Sequence, residues 1–302
     1  MKTRVYFTPV EKLDLQALSI LAKSLLARIV VDENINLEAE IPLKVHSGQP
    51  GNVTFIRPES FSGIIDFLQA KNIQPYFVET GMVTGPRSIA SSHREIARKH
   101  GFTRLPFVIA DGEDGEESVD IPVRNGRHFT VAKIARGLSN RRQVIVLSHF
   151  KGHCATGFGA TIKMLGIGFA SRRGKIIVHT IKECHNDPTI NWDDSSKLYW
   201  GDTLSERVAE YAQAAIAGKK NIYFNFAVNI TDNCDCDGKK MVPVYDHLGI
   251  FVSTDPLSVD KACFDMLAKR ENQPRPFSGD AIFEYGRRLN LGSLDYELIK
   301  LS

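Results

Sequence analysis

The chain has 302 residues, 43% of them hydrophobic and 24% charged, with a formal net charge of +3. These values are typical of a globular protein with one domain or two intertwined lobes. The small net charge, without long runs of Lys and Arg, does not indicate nucleic-acid binding. No apolar run reaches the roughly 18 residues that a membrane span requires, and MKTRVYFTPVEKLDLQ lacks the apolar segment of a signal peptide. We therefore expect a cytoplasmic protein with neither nucleic acid nor a membrane as a partner.

The predicted elements alternate between helices and short apolar strands. In chain order, the pattern predicts a helix over 12–30, a strand over 40–46, a helix over 58–72, a strand over 74–80 and a helix over 88–101. Short β segments follow over 105–135, then a strand over 141–149, a helix over 203–217, strands over 220–230 and 247–255, and a helix over 256–270. This alternation favours an α/β fold, with a largely parallel sheet flanked by helices and a small β flap over 105–140. We expect one α/β domain over 1–271, followed by a C-terminal linker and helix over 272–302.

Several predicted strands end in loops that are rich in glycine and polar residues. In chain order these loops read SGQPGN, GMVTGPR, FKGHCATGFG, TDNCDCDG and DP. Turn-forming residues are expected in any such connection, but these strand ends also carry histidines and cysteines. In an open parallel sheet, ligands bind at the carboxyl ends of the strands. The sequence therefore predicts a ligand site at this edge of the sheet.

The segment HFKGHCATGFGATIK, residues 149–163, has little to contribute to a core. Its glycines allow the backbone to approach a ligand closely, and the helix predicted after them would present unpaired N–H groups to an anion. The alternative is a glycine-rich turn with two satisfied surface histidines. We predict catalytic roles for His149, His153 and Lys163, and ligand contacts by Lys151, Thr156, Gly157 and Gly159.

The loop NCDCDG, residues 233–238, places two thiols side by side. Cys234 and Cys236 are too close along the chain for an easy disulfide but are well placed to share a soft metal ion. In a reducing compartment, cysteines are expected as thiols or metal ligands. Because zinc takes about four ligands, the candidates for the remaining positions are Cys154, His153 and Cys184. The alternative is a reduced loop whose cysteines are incidental.

Further ligand contacts are predicted at other strand ends. Lys44 and His46 share one face of a strand by the two-residue alternation, and Arg57 could contact a carboxylate or phosphate through two hydrogen bonds. Solvated charge at a sheet edge is the alternative. Asp255 before Pro256 is typical of a helix start. The alternative interpretation is that the Asp255 carboxylate binds a ligand. The full set of these predicted ligand-binding residues is Lys44, His46, Gly51, Asn52, Arg57, Thr80 and Asp255.

These segments resemble a known family. KVHSGQPGN, FIRPE, LSHFKGHCATGFGATIKMLGIGFASRRGK, NITDNCDCDG and VSTDPLSVDKA are similar to segments of the domain of unknown function family 362. Members are commonly described as iron–sulfur-cluster proteins, so the resemblance implies a metal ion or an iron–sulfur cluster. Many relatives carry a ferredoxin-like insert with four cysteines, whereas residues 181–202 here contain only Cys184. The resemblance therefore implies a cofactor held without a ferredoxin motif, with a separate ferredoxin as electron partner.

Three functions remain open. The first, which we favour, is a metal- or cofactor-binding redox protein centred on Cys234 and Cys236. The second is an isomerase or racemase that acts on a small anionic substrate, with His149 and His153 as acid and base. The third is a non-catalytic binding or assembly protein, in which 105–140 forms a partner surface or the flap of a homodimer. The first two functions depend on the imidazoles near residue 150 and the sulfurs near residue 235 bordering one cavity.

Overall fold

The computed structural model describes residues 2–186, 191 and 194–301. The strands are β1 (Thr3–Pro9), β2 (Glu40–Lys44), β3 (Gln74–Glu79), β4 (Phe107–Ile109), β5 (Ser118–Pro122), β6 (Val131–Ala135), β7 (Ile145–His149), β8 (Lys151–His153), β9 (Gly157–Gly159), β10 (Ile222–Ala227), β11 (Gly249–Ser253) and β12 (Tyr296–Lys300). The helices are α1 (Leu15–Asp32), α2 (Ser62–Ala70), α3 (Ala90–Lys99), α4 (Arg136–Ser139), α5 (Thr161–Gly166), α6 (Arg172–His179), α7 (Gly201–Ile216), α8 (Pro256–Arg270) and α9 (Ala281–Arg288).

The central sheet contains eight strands in the order β12-β1-β11-β10-β7-β2-β3-β4. All pairings in it are parallel except the two that β11 makes, with β1 and with β10. No helix separates β10 from β11 in the chain, and neighbouring strands joined without a crossover helix pair antiparallel. The predicted α/β fold with a largely parallel sheet is confirmed. All strands of the sheet except β11 therefore end at the same edge.

Helices cover both faces of this sheet. Ile145 and Leu147 of β7 pack in a cluster with residues of α1 and α2, whereas Val146 packs in a second cluster with residues of α5, α7 and α8. Successive side chains of a strand point to opposite faces, so burial on both faces explains the near-continuous apolar runs of the strands. Within the described residues, no helix combines the length and the apolar character needed to cross a membrane.

Two short hairpins and the C-terminal segment complete the architecture. The predicted flap is present as the antiparallel pair β5–β6, while β4 lies at the edge of the main sheet and not in the flap. The pair β8–β9 forms a second small hairpin directly after β7. After α9, the chain adds β12 to the sheet beside β1. This strand was not predicted, because its largely exposed side chains give no apolar pattern.

The loop of the β5–β6 hairpin is anchored on Glu210 of α7, which is completely buried. Its Oε1 accepts hydrogen bonds from the Arg127 backbone N–H at 2.7 Å and from the Tyr285 hydroxyl at 2.6 Å. Its Oε2 accepts the Phe129 N–H at 2.8 Å. One carboxylate therefore accepts hydrogen bonds from several donor groups that would otherwise be shielded from water without a partner.

Replacing Glu210 with alanine would leave these donors buried without an acceptor. We expect the free energy of unfolding, measured by urea denaturation, to fall by about 3 kcal/mol. The matched control is Glu206→Ala, one turn earlier, whose partly exposed carboxylate pairs with the side chains of Arg127 and His128. That control should lose less than about 1 kcal/mol. Equal losses in the two variants would contradict this account of the hairpin.

Candidate functional site

A cavity of about 200 Å³ lies at the edge where the parallel strands end. Its walls come from the residues that follow β2, β3, β7 and β10, and from α5 and α6. The predicted histidines and cysteines share it: the residues that line it include His149, His153, Cys234 and Cys236. Its lysines outnumber its acids, since Lys44, Lys151, Lys163 and Lys175 line it with Glu79. An excess of positive charge in an enclosed site favours an anionic ligand.

Asp235 joins the loop after β10 to the end of β7. Its buried carboxylate lies 2.9 Å from His149 Nδ1 and 2.9 Å from Lys151 Nζ. The other ring nitrogen of His149, Nε2, lies 2.8 Å from the carbonyl oxygen of Val228. Because a carboxylate and a carbonyl only accept hydrogen bonds, both ring nitrogens of His149 are engaged by acceptors of the protein itself. This arrangement argues against the predicted acid–base role of His149, which holds the loop in place.

The residues on either side of Asp235 place their sulfurs at the cavity. Cys234 Sγ accepts the Cys236 backbone N–H at 3.4 Å and lies 3.7 Å from Lys163 Nζ. The Cys236 thiol, hydrogen-bonded to the same sulfur, holds the pKa of Cys234 well below its ordinary value, and Lys163 and His153 lower it further. The same contact raises the pKa of Cys236. Cys234 is therefore the thiolate of the pair.

The His153 imidazole interacts with the Cys234 side chain. The backbone N–H groups of Ala155 and Thr156 both donate to its Nδ1, at 3.2 and 3.1 Å. From this hydrogen-bond pattern we assign the proton of the neutral ring to Nε2, because the Nδ1 lone pair is occupied. A proton on Nε2 suits a hydrogen bond to a thiolate, and it hinders coordination of a metal ion through that nitrogen.

The described residues contain a single group of three potential metal ligands. It is formed by His153, Cys234 and Cys236, whose ligand atoms all lie within 4.8 Å of one another. Cys154 is exposed, Cys184 is buried away from the cavity lining, and neither belongs to the group. Four thiolates are required for a cysteine-ligated iron–sulfur cluster, so the described residues do not fit such a cluster. The group could hold one metal ion through its sulfurs.

Lys44 and Glu79 form a buried ion pair across the ends of β2 and β3, with Nζ 3.4 Å from Oε2. Glu79 Oε1 also accepts the Ser47 N–H at 2.8 Å and lies 3.7 Å from Arg87 Nη1. Burial raises the pKa of Glu79, but Lys44 and His93 outweigh this effect and the pKa lies well below its ordinary value. The carboxylate is therefore ionised at the cavity wall. Sequence reasoning selected the next residue, Thr80, and missed Glu79.

Helix α6 supplies two cavity residues that sequence reasoning also missed, Lys175 and His179. Residues four apart share one face of a helix, so their spacing was the signal available in RRGKIIVH. Lys175 Nζ donates to Thr80 Oγ1 at 2.6 Å and to the Gly81 carbonyl. Burial lowers the pKa of Lys175 to about 8. This wall of the cavity therefore carries an amine that is readily deprotonated.

The helix N-terminus predicted to bind an anion is already occupied. Asp260 of α8 is completely buried, and its carboxylate accepts the first N–H groups of α5, those of Thr161 at 2.9 Å and Ile162 at 2.8 Å. Asn225 Nδ2 donates to the same carboxylate at 2.7 Å. The helix terminus is therefore neutralised inside the protein, and side chains must provide the positive charge of the cavity.

Several predicted ligand-binding residues hold loops together and do not line the cavity. A Cβ added to Gly51 would lie 2.1 Å from the carbonyl oxygen of Gly238, and Asn52 Nδ2 donates to the Asp237 carbonyl at 3.2 Å. Gly157 approaches the Ser278 backbone in the same way. Of the predicted contacts, those that line the cavity are Lys44, His46, Lys151 and Gly159, and those outside its lining are Gly51, Asn52, Arg57, Thr80, Thr156, Gly157 and Asp255.

Arg57 and Asp255 lie farther from their predicted positions. The Arg57 side chain is 43% exposed and lies over the Phe55 ring. Asp255 caps α8 by accepting the N–H groups of Leu257 and Ser258 at 2.9 and 2.8 Å. The prediction that the strand before Asp255 ends at the same sheet edge as the other strands was wrong. That strand, β11, runs antiparallel to its neighbours and ends at the opposite edge of the sheet.

Replacing Asp235 with asparagine would leave the buried Lys151 ammonium without its counterion and would remove the carboxylate that faces His149 Nδ1. We expect the free energy of unfolding at pH 7 to fall by about 3–5 kcal/mol. Burial raises the pKa of Asp235, but its two partners hold it well below the ordinary value. Its contribution to stability is thus complete above pH ~4 and is lost as the pH falls through the native pKa.

The control for this variant is Asp237→Asn in the same loop, whose partly exposed carboxylate accepts hydrogen bonds from Asn233 Nδ2 and the Lys239 N–H. It should lose less than about 1 kcal/mol. Urea denaturation at pH 7 and pH 3 measures both variants. A loss for Asp235→Asn that is as small as that of the control would show that the buried charge cluster does not hold the loop.

Comparison with known proteins gives the fold and the family. No curated protein matches the chain. A solved structure of a Thermotoga maritima protein is 11% identical with a TM-score of 0.53, over 87% of this chain and 60% of that chain. The lactate racemase apoprotein from Thermoanaerobacterium thermosaccharolyticum is 10% identical with a TM-score of 0.43, over 76% of this chain and 51% of that chain.

This chain therefore spans only part of the length of both solved structures, and the likeness to the Thermotoga maritima protein concerns the fold alone. Residues 41–265 match the family described as Domain of unknown function (DUF362). The match covers most of the chain and includes the loops that carry the cavity residues. The resemblance expected from the sequence is confirmed, and the chain belongs to the DUF362 family.

Proposed function

We propose that the protein is an enzyme that binds a small anionic molecule in the cavity and acts on it through the Cys234 thiolate, in a redox role. The observation that carries this proposal is the environment of one sulfur. Cys234 Sγ is buried at the wall of a lysine-lined cavity, and it lies near an ammonium group, a backbone N–H and an imidazole. Thiolates stabilised in this way are the nucleophilic and redox-active form of cysteine.

The second thiol supports a redox role over simple nucleophilic chemistry. Cys236 hydrogen-bonds to the Cys234 sulfur, and a neighbouring pair of thiols can release two electrons and two protons as it becomes a disulfide. A bond between residues two apart is strained, and a strained disulfide is easily reduced again. Electrons would pass to or from a separate carrier, for which a ferredoxin is our candidate.

The acid–base alternative has lost its main support. Both ring nitrogens of His149 face buried acceptors, and the Nδ1 of His153 accepts backbone N–H groups. Burial lowers the pKa of His46 to about 3, and its Nδ1 accepts the Gly48 N–H at 3.2 Å. These contacts leave none of the three rings with both nitrogens available for proton transfer to a substrate.

The first test compares two alkylating reagents on the native protein at pH 6.5, with peptide mass spectrometry as the readout. Cys234 should react faster than Cys154, because a thiolate is the reactive form of cysteine. Cys154 is exposed, but partial desolvation of its thiol raises its pKa. At Cys234, the anionic reagent iodoacetate should react faster than the neutral iodoacetamide, because lysines attract it. At Cys154 this preference should be absent.

Lys163→Met should slow the reaction of Cys234 by about tenfold, the change expected when the thiol pKa rises by about one unit. The control is Lys239→Met, an exposed lysine close to the same loop. Oxalate, a small dianion, should protect Cys234 from iodoacetate in the unmodified protein. If Cys234 reacts no faster than Cys154 and prefers iodoacetamide, the proposed thiolate site is wrong.

A metal ion bound by the sulfurs is the second candidate, favoured by the close group of His153, Cys234 and Cys236. Thiolate ligands select soft or borderline ions such as Zn²⁺. We expect elemental analysis of anaerobically purified protein, followed by Zn²⁺ titration, to show one bound ion that is lost in Cys234→Ser and Cys236→Ser. Cys154→Ser is the control and should retain it. Equal binding by all of these variants would exclude this site.

A further inference from the structure

Lys175 differs from the other lysines of the cavity in its partners. Its Nζ donates only to neutral oxygens, Thr80 Oγ1 and the Gly81 carbonyl. Across the part of the chain that the structure describes, no carboxylate oxygen lies within 4.0 Å of this nitrogen. The other three each have an anionic partner: Lys44 has Glu79 at 3.4 Å, Lys151 has Asp235 at 2.9 Å, and Lys163 has Cys234 at 3.7 Å.

The wider surroundings of Lys175 contain both signs of charge. Asp111 and Glu79 favour the ammonium form, whereas Lys44 and Arg87 oppose it. Burial is the largest influence and lowers the pKa of Lys175 to about 8. A substantial fraction of the side chain is therefore the neutral amine near pH 8. A desolvated lysine with cations nearby and no paired acid is the form that reacts with carbonyl carbons.

We propose that Lys175 is a nucleophile that forms an imine with a small anionic carbonyl compound, such as a 2-oxo acid. This inference rests on the proposed function, since it names the chemical class of the anion that the cavity binds. The amine nitrogen attacks the carbonyl carbon, a C–N bond forms as the C–O π bond breaks, and a proton passes from the nitrogen to the oxygen. A second proton, taken from solvent, lets that oxygen leave as water and gives the protonated imine; addition of water reverses the step and returns the proton. The reaction needs no oxidant or reductant.

The fold positions this amine for such a reaction. Thr80 Oγ1 and the Gly81 carbonyl hold Nζ at the cavity wall, so the attacking atom is oriented before the ligand arrives. The imidazole of His179, one turn later, lines the same cavity. Its Nδ1 lies 2.8 Å from the Lys175 carbonyl oxygen, and burial lowers the pKa of His179 to about 4. The remaining lysines provide charge for the carboxylate of the ligand.

The test traps the imine by reduction. The full-length protein is incubated with glyoxylate and sodium cyanoborohydride at pH 8, and each lysine is quantified by peptide mass spectrometry for an added carboxymethyl group. We expect Lys175 to be labelled about tenfold or more faster than Lys151, because each pKa unit changes the neutral amine fraction tenfold. Labelling of Lys175 should slow as the pH falls from 8 to 6. Lys175→Arg should remove this label while keeping the positive charge.

Two further probes separate failure of this inference from failure of the proposed function. Acetaldehyde, a neutral carbonyl compound, should label Lys175 more slowly than glyoxylate does. Equal labelling by both would overturn the assignment to an anionic compound and count against the proposed anion site. If glyoxylate leaves Lys175 unlabelled while oxalate still protects Cys234 from iodoacetate, the imine is wrong and the anion site stands. If Lys175→Arg fails to fold, the labelling rates of Lys175 and Lys151 in the unmodified protein still test the proposal.

Discussion

The buried carboxylate of Asp235 is the contact on which the site depends. It accepts from His149 at the end of β7 and pairs with Lys151 at the start of the next hairpin. Because it belongs to the loop after β10, it links two neighbouring strands at the edge where the cavity opens. An ion pair removed from water is stabilising only when its geometry is good and its other hydrogen bonds are satisfied, and here Lys151 Nζ and His149 Nδ1 both lie 2.9 Å from one carboxylate. The sulfurs on either side of Asp235 take their positions from this contact.

The lysines of the cavity differ in the charge of their nearest partners. Three of its lysines face an anion at short range, whereas Lys175 faces only neutral oxygens. Burial disfavours the charged form of any lysine, and a nearby anion restores it. Lys151 shows the effect of the anion, because its pKa is raised beside Asp235, whereas burial lowers the pKa of Lys175. If both proposals hold, the Cys234 sulfur and the Lys175 amine place two nucleophiles of different chemistry in one small cavity.

The fold class and the location of the site could be predicted from sequence, whereas the roles of single residues could not. Apolar runs alternating with amphipathic helices indicated the parallel sheet, and glycine-rich strand ends indicated its functional edge. The direction of β11 was missed because a strand pattern carries no information on the direction in which it pairs. His149 was read as a catalyst because only coordinates show that both of its nitrogens have acceptors. Lys175 was missed because its significance lies in its hydrogen-bond partners, which are neutral oxygens among the described residues and depend on tertiary packing.

The occupied start of α5 has a consequence for how the cavity recognises its ligand. Proteins that grip oxyanions with a helix terminus use backbone amides, whose partial charges do not vary with pH and cannot be chemically removed. Here the Asp260 carboxylate accepts the hydrogen bonds of those amides, so the lysine amines are left to contact the proposed anion. Acylation or alkylation of a single side chain could cancel part of the attraction, and so could a modest alkaline shift. Binding of the proposed anion would therefore depend on the covalent and protonation state of these lysines, as binding to backbone amides would not.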